Sequence, residues 1–193
     1  MRDLIRMVVV LTVICGASGF VLSYVDQITK APREYQLLKY VKEPSIKAVL
    51  PKYDNDPIKD RIELKVGTDA KGKPIIKTIF PAKQGGKVIA VAYDASATGY
   101  HGPISVMVGI DAAGKIVGLS IMTHTETPGL GARVVEPAFT GQFAGLPLAG
   151  ELKVASEGGK INAVSGATIS SKGVVTAARQ ALKLFPLVKK EVF

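Results

Sequence analysis

The chain has 193 residues, 47 % of them hydrophobic, and carries 25 Lys and Arg against 16 Asp and Glu for a net charge of +9; that accommodates one ordinary domain with a short appendage. The aromatic content is 6 % and Trp is absent, which argues against a stacking platform for nucleic acid, while the scattered basic residues favour anionic partners such as phosphates or an acidic lipid surface. A single cysteine, Cys15, excludes an intrachain disulfide and a thiolate-held metal or iron–sulfur centre, and His101 and His124 have no neighbouring ligand set, so a redox role would need an organic cofactor.

Residues 1–6 hold Arg2 and Arg6, and residues 7–24 contain no charged side chain. At about 1.5 Å per residue a helix of that length reaches ~27 Å, close to the hydrocarbon thickness of a bilayer. Val25 extends the run and Asp26 ends it, so residues 7–25 are expected to form a transmembrane helix. The alternative, a cleaved signal peptide, has a shorter apolar part and a small-residue cleavage site, which this run lacks. Residues 26–80 read as a membrane-proximal helix and lead-in strands. Tyr35, Leu38 and Val41 are spaced for one helical face, Pro32 and Pro44 punctuate it, and residues 54–57 form a turn-rich break. Residues 81–193 are expected to be the main domain.

Strand signals begin at Arg61, with residues 61–66 alternating, and return at residues 87–93 after the Gly85-Gly86 turn. Residues 104–110 and 115–122 are apolar runs joined by Asp111-Ala112-Ala113-Gly114, the pattern of a hairpin expected at the centre of an antiparallel sheet. Residues 127–150 are broken by glycine and proline, with room for a short helix over residues 133–143. Val174, Ala178, Ala181, Leu182 and Phe185 form the buried stripe of an amphipathic helix, with Ser170 or Ser171 available to cap it and Pro186 expected to stop it. The fold class is α+β: one transmembrane helix, then an antiparallel sheet with packed helices.

Three segments offer chemistry. In Ser165-Gly166-Ala167-Thr168 small residues precede a helix start. Unpaired N–H groups at such a start favour an anion, and the small residues let backbone approach a phosphate. The Thr168 hydroxyl there is either a helix cap or an acceptor for a phosphoryl ester. Thr123-His124-Thr125-Glu126-Thr127-Pro128-Gly129-Leu130-Gly131 follows a central strand and is either a surface loop or a binding loop suited to a planar heteroaromatic ligand. Tyr100, between Gly99 and the His101-Gly102-Pro103 run, either lines the same pocket or packs on the sheet at a tight turn.

Taken in order behind an N-terminal membrane helix, Gly99-Tyr100-x-Gly102-Pro103-Ile104, Glu126-Thr127-Pro128-Gly129-Leu130-Gly131 and Ser165-Gly166-Ala167-Thr168-x-Ser170 resemble the FMN-binding domain family. More narrowly they look like the G subunit of Rnf electron-transport complexes, with the C subunit of sodium-translocating NADH:quinone reductases as the related alternative. The resemblance implies FMN esterified through its phosphate to Thr168 by a separate flavin transferase. It places Ser165, Gly166 and Ala167 around the phosphate and Glu126, Thr127 and Leu130 against the isoalloxazine ring, with Tyr100 lining the pocket. It also implies electron transfer between ferredoxin and NAD in a membrane complex that moves Na⁺ or H⁺, alongside other membrane and peripheral subunits. The N-terminus is then expected in the cytoplasm and the FMN domain outside it, on a single-pass anchor in the plasma membrane. Asn162 stands where the family's transferase signature has Asp; it keeps the shape and one acceptor oxygen but not the charge. A reading from a different class is a membrane-tethered adaptor without redox function.

Overall fold

The computed structural model describes residues 1–68, 72–147 and 152–193, with the side chains of all of these except Ala31, Glu34 and Tyr35. Gly150 and the side chain of Tyr35, both invoked above, lie outside that set. The chain divides into two units, Met1–Val41 and Lys42–Phe193.

The first unit is built on helix α1 (Arg2–Leu37). Its stretch Arg2–Lys30 is long and apolar enough to cross a membrane, and none of it is buried by protein. Two of its hydroxyls are satisfied locally: those of Thr12 and Thr29 donate to the carbonyls of Val8 and Val25 at 2.8 and 2.6 Å, as suits an apolar solvent. Pro32 was expected to punctuate the lead-in, but the helix runs through it to Leu37. The break comes later, as a wide π-type turn over Leu38–Lys42, the register change by which helices accommodate an extra residue.

The second unit starts with α2 (Glu43–Val49), whose Pro44 falls in the first turn, where a missing N–H leaves no bond unmade. Five strands follow: β1 (Ile62–Thr68), β2 (Pro74–Gln84), β3 (Lys87–Thr98), β4 (Pro103–Asp111) and β5 (Ile116–Thr123). They form one antiparallel sheet in the order β1-β2-β3-β4-β5. The expected hairpin is β4–β5, turning at Gly114 with φ +83°. It is not the sheet centre: β3 is, and β5 is an outer strand whose backbone at Ile116 is met by Gly145 and Leu146 of the following loop. Strand β2 carries no strand signal in the sequence because Pro74 and Pro81 interrupt it. Pro81 is tolerated because β1 begins only opposite Ile79, so no strand flanks β2 on that side at position 81. Asn55 stands in for the strand there, donating to Pro81 O at 3.0 Å and accepting from Lys83 N at 2.8 Å.

Alternation gives the sheet two buried faces. Tyr93, Ala95, Val106, Val108 and Ile110 point to the face covered by α4 (Thr168–Val192). Phe80, Ala92 and Met107 point to the other, which α2 covers with Ile46 and Val49. The α4 stripe is buried as its spacing predicts, but Pro186 does not stop the helix, which continues to Val192. Pro186 lies on the exposed side of the helix, opposite the buried stripe. Tyr93, fully buried, donates its hydroxyl to Ala181 O at 2.8 Å, tying sheet to helix; burial pushes the phenol pKa up.

The α2 face depends on a glycine pair. Gly109 on β4 and Gly118 on β5 are register partners. A Cβ on Gly109 would collide with the carbonyl oxygen of Val49, and one on Gly118 would lie 2.9 Å from Val49 Cα. Because the obstacle is backbone, it cannot rotate away. Gly109→Ala is therefore expected to destabilise the protein by about 2–3 kcal/mol, read as a lower denaturation midpoint of the full chain in detergent. Gly67→Ala on β1, where a Cβ meets open space, is the control and is expected to leave the midpoint nearly unchanged.

Candidate functional site

The pairing register brings the three sequence segments together. Thr98 pairs with Pro103, leaving residues 99–102 as the β3–β4 turn, and Ser105 pairs with Thr123, so the loop after β5 departs beside that turn. Helix α4 arrives at the same end because Gly173 lets it approach closely: a Cβ there would lie 2.9 Å from Thr98 O and 3.0 Å from Gly99 Cα.

Glu126 joins all three. Its side chain is 5 % exposed. Oε1 accepts the backbone N–H groups of Tyr100 and His101 at 2.9 and 3.2 Å, and Oε2 accepts the Ser170 hydroxyl at 2.5 Å. Two glycines make the space: a Cβ on Gly99 would collide with Oε1, and one on Gly131 would lie 2.9 Å from Oε2. Burial alone would push the carboxyl pKa up, but the Ser170 hydroxyl and the two N–H donors outweigh it and hold the group below its ordinary value. Its own N–H donates to His124 Nδ1 at 3.2 Å, and Thr127 Oγ1 lies 3.2 Å from His101 Nδ1. Both histidines thus take part in local loop bonds.

The run before α4 is folded on itself. Gly166 has φ +78°, a conformation that favours glycine, and a Cβ there would press on Leu130 at 2.8 Å. Ala167 N donates to Val164 O at 2.9 Å, while the Ser171 hydroxyl accepts from Val164 N at 3.0 Å and donates to Ala167 O at 2.9 Å. The helix cap is Ala167, with no side-chain cap bond. The expectation that Ser170 or Ser171 caps the helix is therefore corrected: one is bound to Glu126 and the other reaches back to the loop. Thr168 is the first helical residue and is exposed. The N–H groups of this first turn lack helical partners, and no side chain takes their place. Upstream, Gln142 clamps the backbone of Asn162, accepting from its N at 2.7 Å and donating to its O at 3.1 Å. The Asn162 side chain itself is exposed.

These segments enclose a groove of about 410 Å³, within the usual size of small-molecule sites. Of the residues singled out from sequence, Tyr100, Glu126, Thr127 and Leu130 line one side and Gly166, Ala167 and Thr168 the other; Ser165 is not among the lining residues. Gly131, the last residue of the candidate binding loop, also lines it, as do Ile169, which no sequence pattern marks, and Ser170, which the sequence suggests only as a helix cap. The rim is apolar, with Tyr100, Leu130 and Ile169 exposed by 64, 46 and 52 %, and one end is the start of a helix of 25 residues. Apolar rim and helix start together suit a ligand with a flat apolar body and an anionic end.

Glu126 makes a test possible without any ligand. A carboxyl whose folded pKa is depressed adds stability that is fully present above the unfolded value, about 4.3, and is lost as pH falls through the folded one. Glu126→Gln is expected to be less stable than the native chain at pH 7. Denaturation midpoints measured across pH 7 to 3 should show that gap narrowing below about pH 4.5, as the unfolded chain's carboxyl takes up its proton while the native one, held lower, does not until the pH falls further.

Comparison with known proteins fits this geometry. Residues 99–183 match the model of the FMN-binding domain family. The chain is 31 % identical over 183 residues to the G subunit of the ion-translocating oxidoreductase complex of Methanosarcina acetivorans, covering 94 % of each chain. It is 31 % identical over 175 residues to the G subunit of the proton-translocating ferredoxin:NAD(+) oxidoreductase complex of Clostridium ljungdahlii, covering 90 % of this chain and 86 % of that one. Among solved structures its fold is similar to Shewanella oneidensis NqrC, with a TM-score of 0.55 and 20 % identity over 81 % of this chain and 76 % of that one. The C subunit of the Na(+)-translocating NADH-quinone reductase of Parabacteroides distasonis gives a TM-score of 0.55 at 19 % identity, covering 81 % and 95 %. An apolar N-terminal helix, a five-stranded antiparallel meander and a groove built from three separate segments thus occur in one chain, which belongs to the G-subunit family of ion-translocating oxidoreductase complexes and carries its FMN-binding domain.

Proposed function

We propose that this chain is the flavin-carrying electron-transfer subunit of a membrane-bound ion-translocating ferredoxin:NAD oxidoreductase complex, with FMN joined through its phosphate to Thr168. The observation that carries the reading is the position of Thr168. Its exposed hydroxyl stands on the first residue of α4, at the groove mouth, beside N–H groups that no side chain caps. Such N–H groups and the helix dipole stabilise a phosphate. Gly166 and Ala167 would border the phosphate, with Ser165 just before them. Tyr100, Thr127 and Leu130 would face the ring, and Glu126 would hold the walls in register.

Bound FMN supplies reversible electron transfer there; the chain's part is to hold the ring, shield one side of it and keep it from diffusing away. A covalent tether does the last of these outside the cytoplasm, where lost cofactor is not replaced. Loading by a flavin transferase would exchange the Thr168 hydroxyl proton for the FMN phosphoryl group of FAD, with AMP leaving. The apolar helix anchors the chain in the plasma membrane, in contact with lipid and the other subunits, with its N-terminus cytoplasmic and the FMN domain on the outer face. The G-subunit reading is preferred to the quinone-reductase alternative because identity of 31 % extends over nearly the whole chain in the former and is 20 % in the latter.

Co-expressed with a flavin transferase, the protein is expected to gain the mass of one FMN less one water and to fluoresce on a denaturing gel. Thr168→Val should lose both signals while keeping the native denaturation midpoint within about 1 kcal/mol of stability. Covalent flavin persisting in that variant would move the acceptor elsewhere, and a native chain that takes up no flavin beside an active transferase would favour the adaptor reading.

A further inference from the structure

The groove has an uneven charge distribution. Among the described lining residues Glu126 alone carries a charge at neutral pH; no Lys or Arg lines the groove. The groups bonded to the Glu126 carboxylate are neutral donors, and the ionisable side chain that also acts on it by charge is His101 of the β3–β4 turn. The β3–β4 turn presents the backbone N–H groups of Tyr100 and His101 and α4 presents the Ser170 hydroxyl, while His124 Nδ1 accepts the backbone N–H of Glu126 and does not touch its carboxylate. The nearest cation along α4, Lys172, is paired with Glu157 at 2.7 Å. Glu126 therefore holds a buried negative charge that is hydrogen-bonded but not ion-paired. Its carboxylate oxygens are both engaged by the protein, so it acts on a ligand through its field.

We propose, resting on the reading of the groove as the FMN site, that Glu126 is a positioning and potential-setting residue whose fixed negative charge beneath the groove keeps the flavin's reduction potential low. Uptake of electrons adds negative charge to the ring, and a carboxylate close by in a low-dielectric setting opposes it. Burial also keeps that opposition from being screened by salt. Ser170 works against Glu126 in a defined sense: its hydroxyl partly neutralises the carboxylate, so removing the hydroxyl strengthens the field while removing the charge abolishes it.

That opposition supplies the test. Flavin-loaded native protein, Glu126→Gln and Ser170→Ala are titrated potentiometrically in detergent, with Glu63→Gln on exposed β1 as a control. Gln keeps an acceptor oxygen for the Tyr100 and His101 N–H groups, so the walls stay in register while the charge is lost. The Glu126→Gln potential is expected to shift upward, the Ser170→Ala potential downward, and the control not at all, with the Glu126→Gln shift retained at high salt. A merely structural role would loosen the groove in both variants and move both potentials the same way; that result, or an unmoved potential in loaded Glu126→Gln, overturns the inference. Should Glu126→Gln fail to load, Ser170→Ala decides: a downward shift supports the inference, an upward or absent one overturns it. A native chain that takes up no flavin overturns the reading of the groove, and this inference with it.

Discussion

The site depends on satisfying one buried carboxylate. A charge removed from water is tolerated only when its oxygens are fully hydrogen-bonded, and Glu126 finds its donors on two elements other than its own. The consequences spread outward. The β3–β4 turn must present two successive N–H groups, so it closes tightly, with Gly99 N donating to Gly102 O at 2.7 Å. Gly99 and Gly131 must lack side chains to admit the carboxylate, and Gly173 must lack one for α4 to bring Ser170 within reach. Three glycines far apart in sequence are thereby fixed by the needs of one side chain.

The sheet holds these pieces still. Its two faces are covered by different helices, and each contact is set by close backbone approach or a specific bond rather than by bulk alone: Gly109 and Gly118 under Val49 on one face, Tyr93 to Ala181 O on the other. A strand clamped on both faces moves little. The turn after β3 and the loop after β5 leave such strands, so flexibility in the loops does not become uncertainty in the groove.

The sequence shows some of this and hides the rest for physical reasons. The α4 stripe, the β4–β5 hairpin and the membrane-length helix are periodic patterns, and each appears where its period places it. Strand β2 is concealed by Pro81, which is tolerated because no strand flanks it on that side, where Asn55, 26 residues away in sequence, bonds the Pro81 carbonyl instead. The order of strands differs from expectation because apolar content cannot distinguish an inner strand from an outer one covered by a loop. Pro186 looks like a stop, yet on the exposed side of a long, well-packed helix its missing bond is outweighed by burial on the other side. Within the groove, the three segments are readable as motifs, but not which atoms face outward. Glu126 was expected against a ligand ring, while its carboxylate oxygens turn to the protein; Ser170 was expected to cap a helix and instead bonds Glu126. Such choices depend on three-dimensional neighbours that no local pattern encodes.

Attachment and tuning can therefore fall to different residues of one groove. The start of α4 offers partial positive charge and unpaired N–H groups, which suit a phosphate. Glu126 offers a buried negative charge whose bonds are complete within the protein. Were the ring held by hydrogen bonds alone, the site would need polar side chains turned outward to grip it, and each would perturb the ring as it bound. A ligand tethered through its phosphate relaxes that demand. The walls can then be largely apolar, as Tyr100, Leu130 and Ile169 are, and the one charged residue of the lining can face inward. On the proposed reading of a tethered flavin, a site relieved of gripping its ligand is free to use the inward-turned charge of Glu126 to set the electronic environment instead.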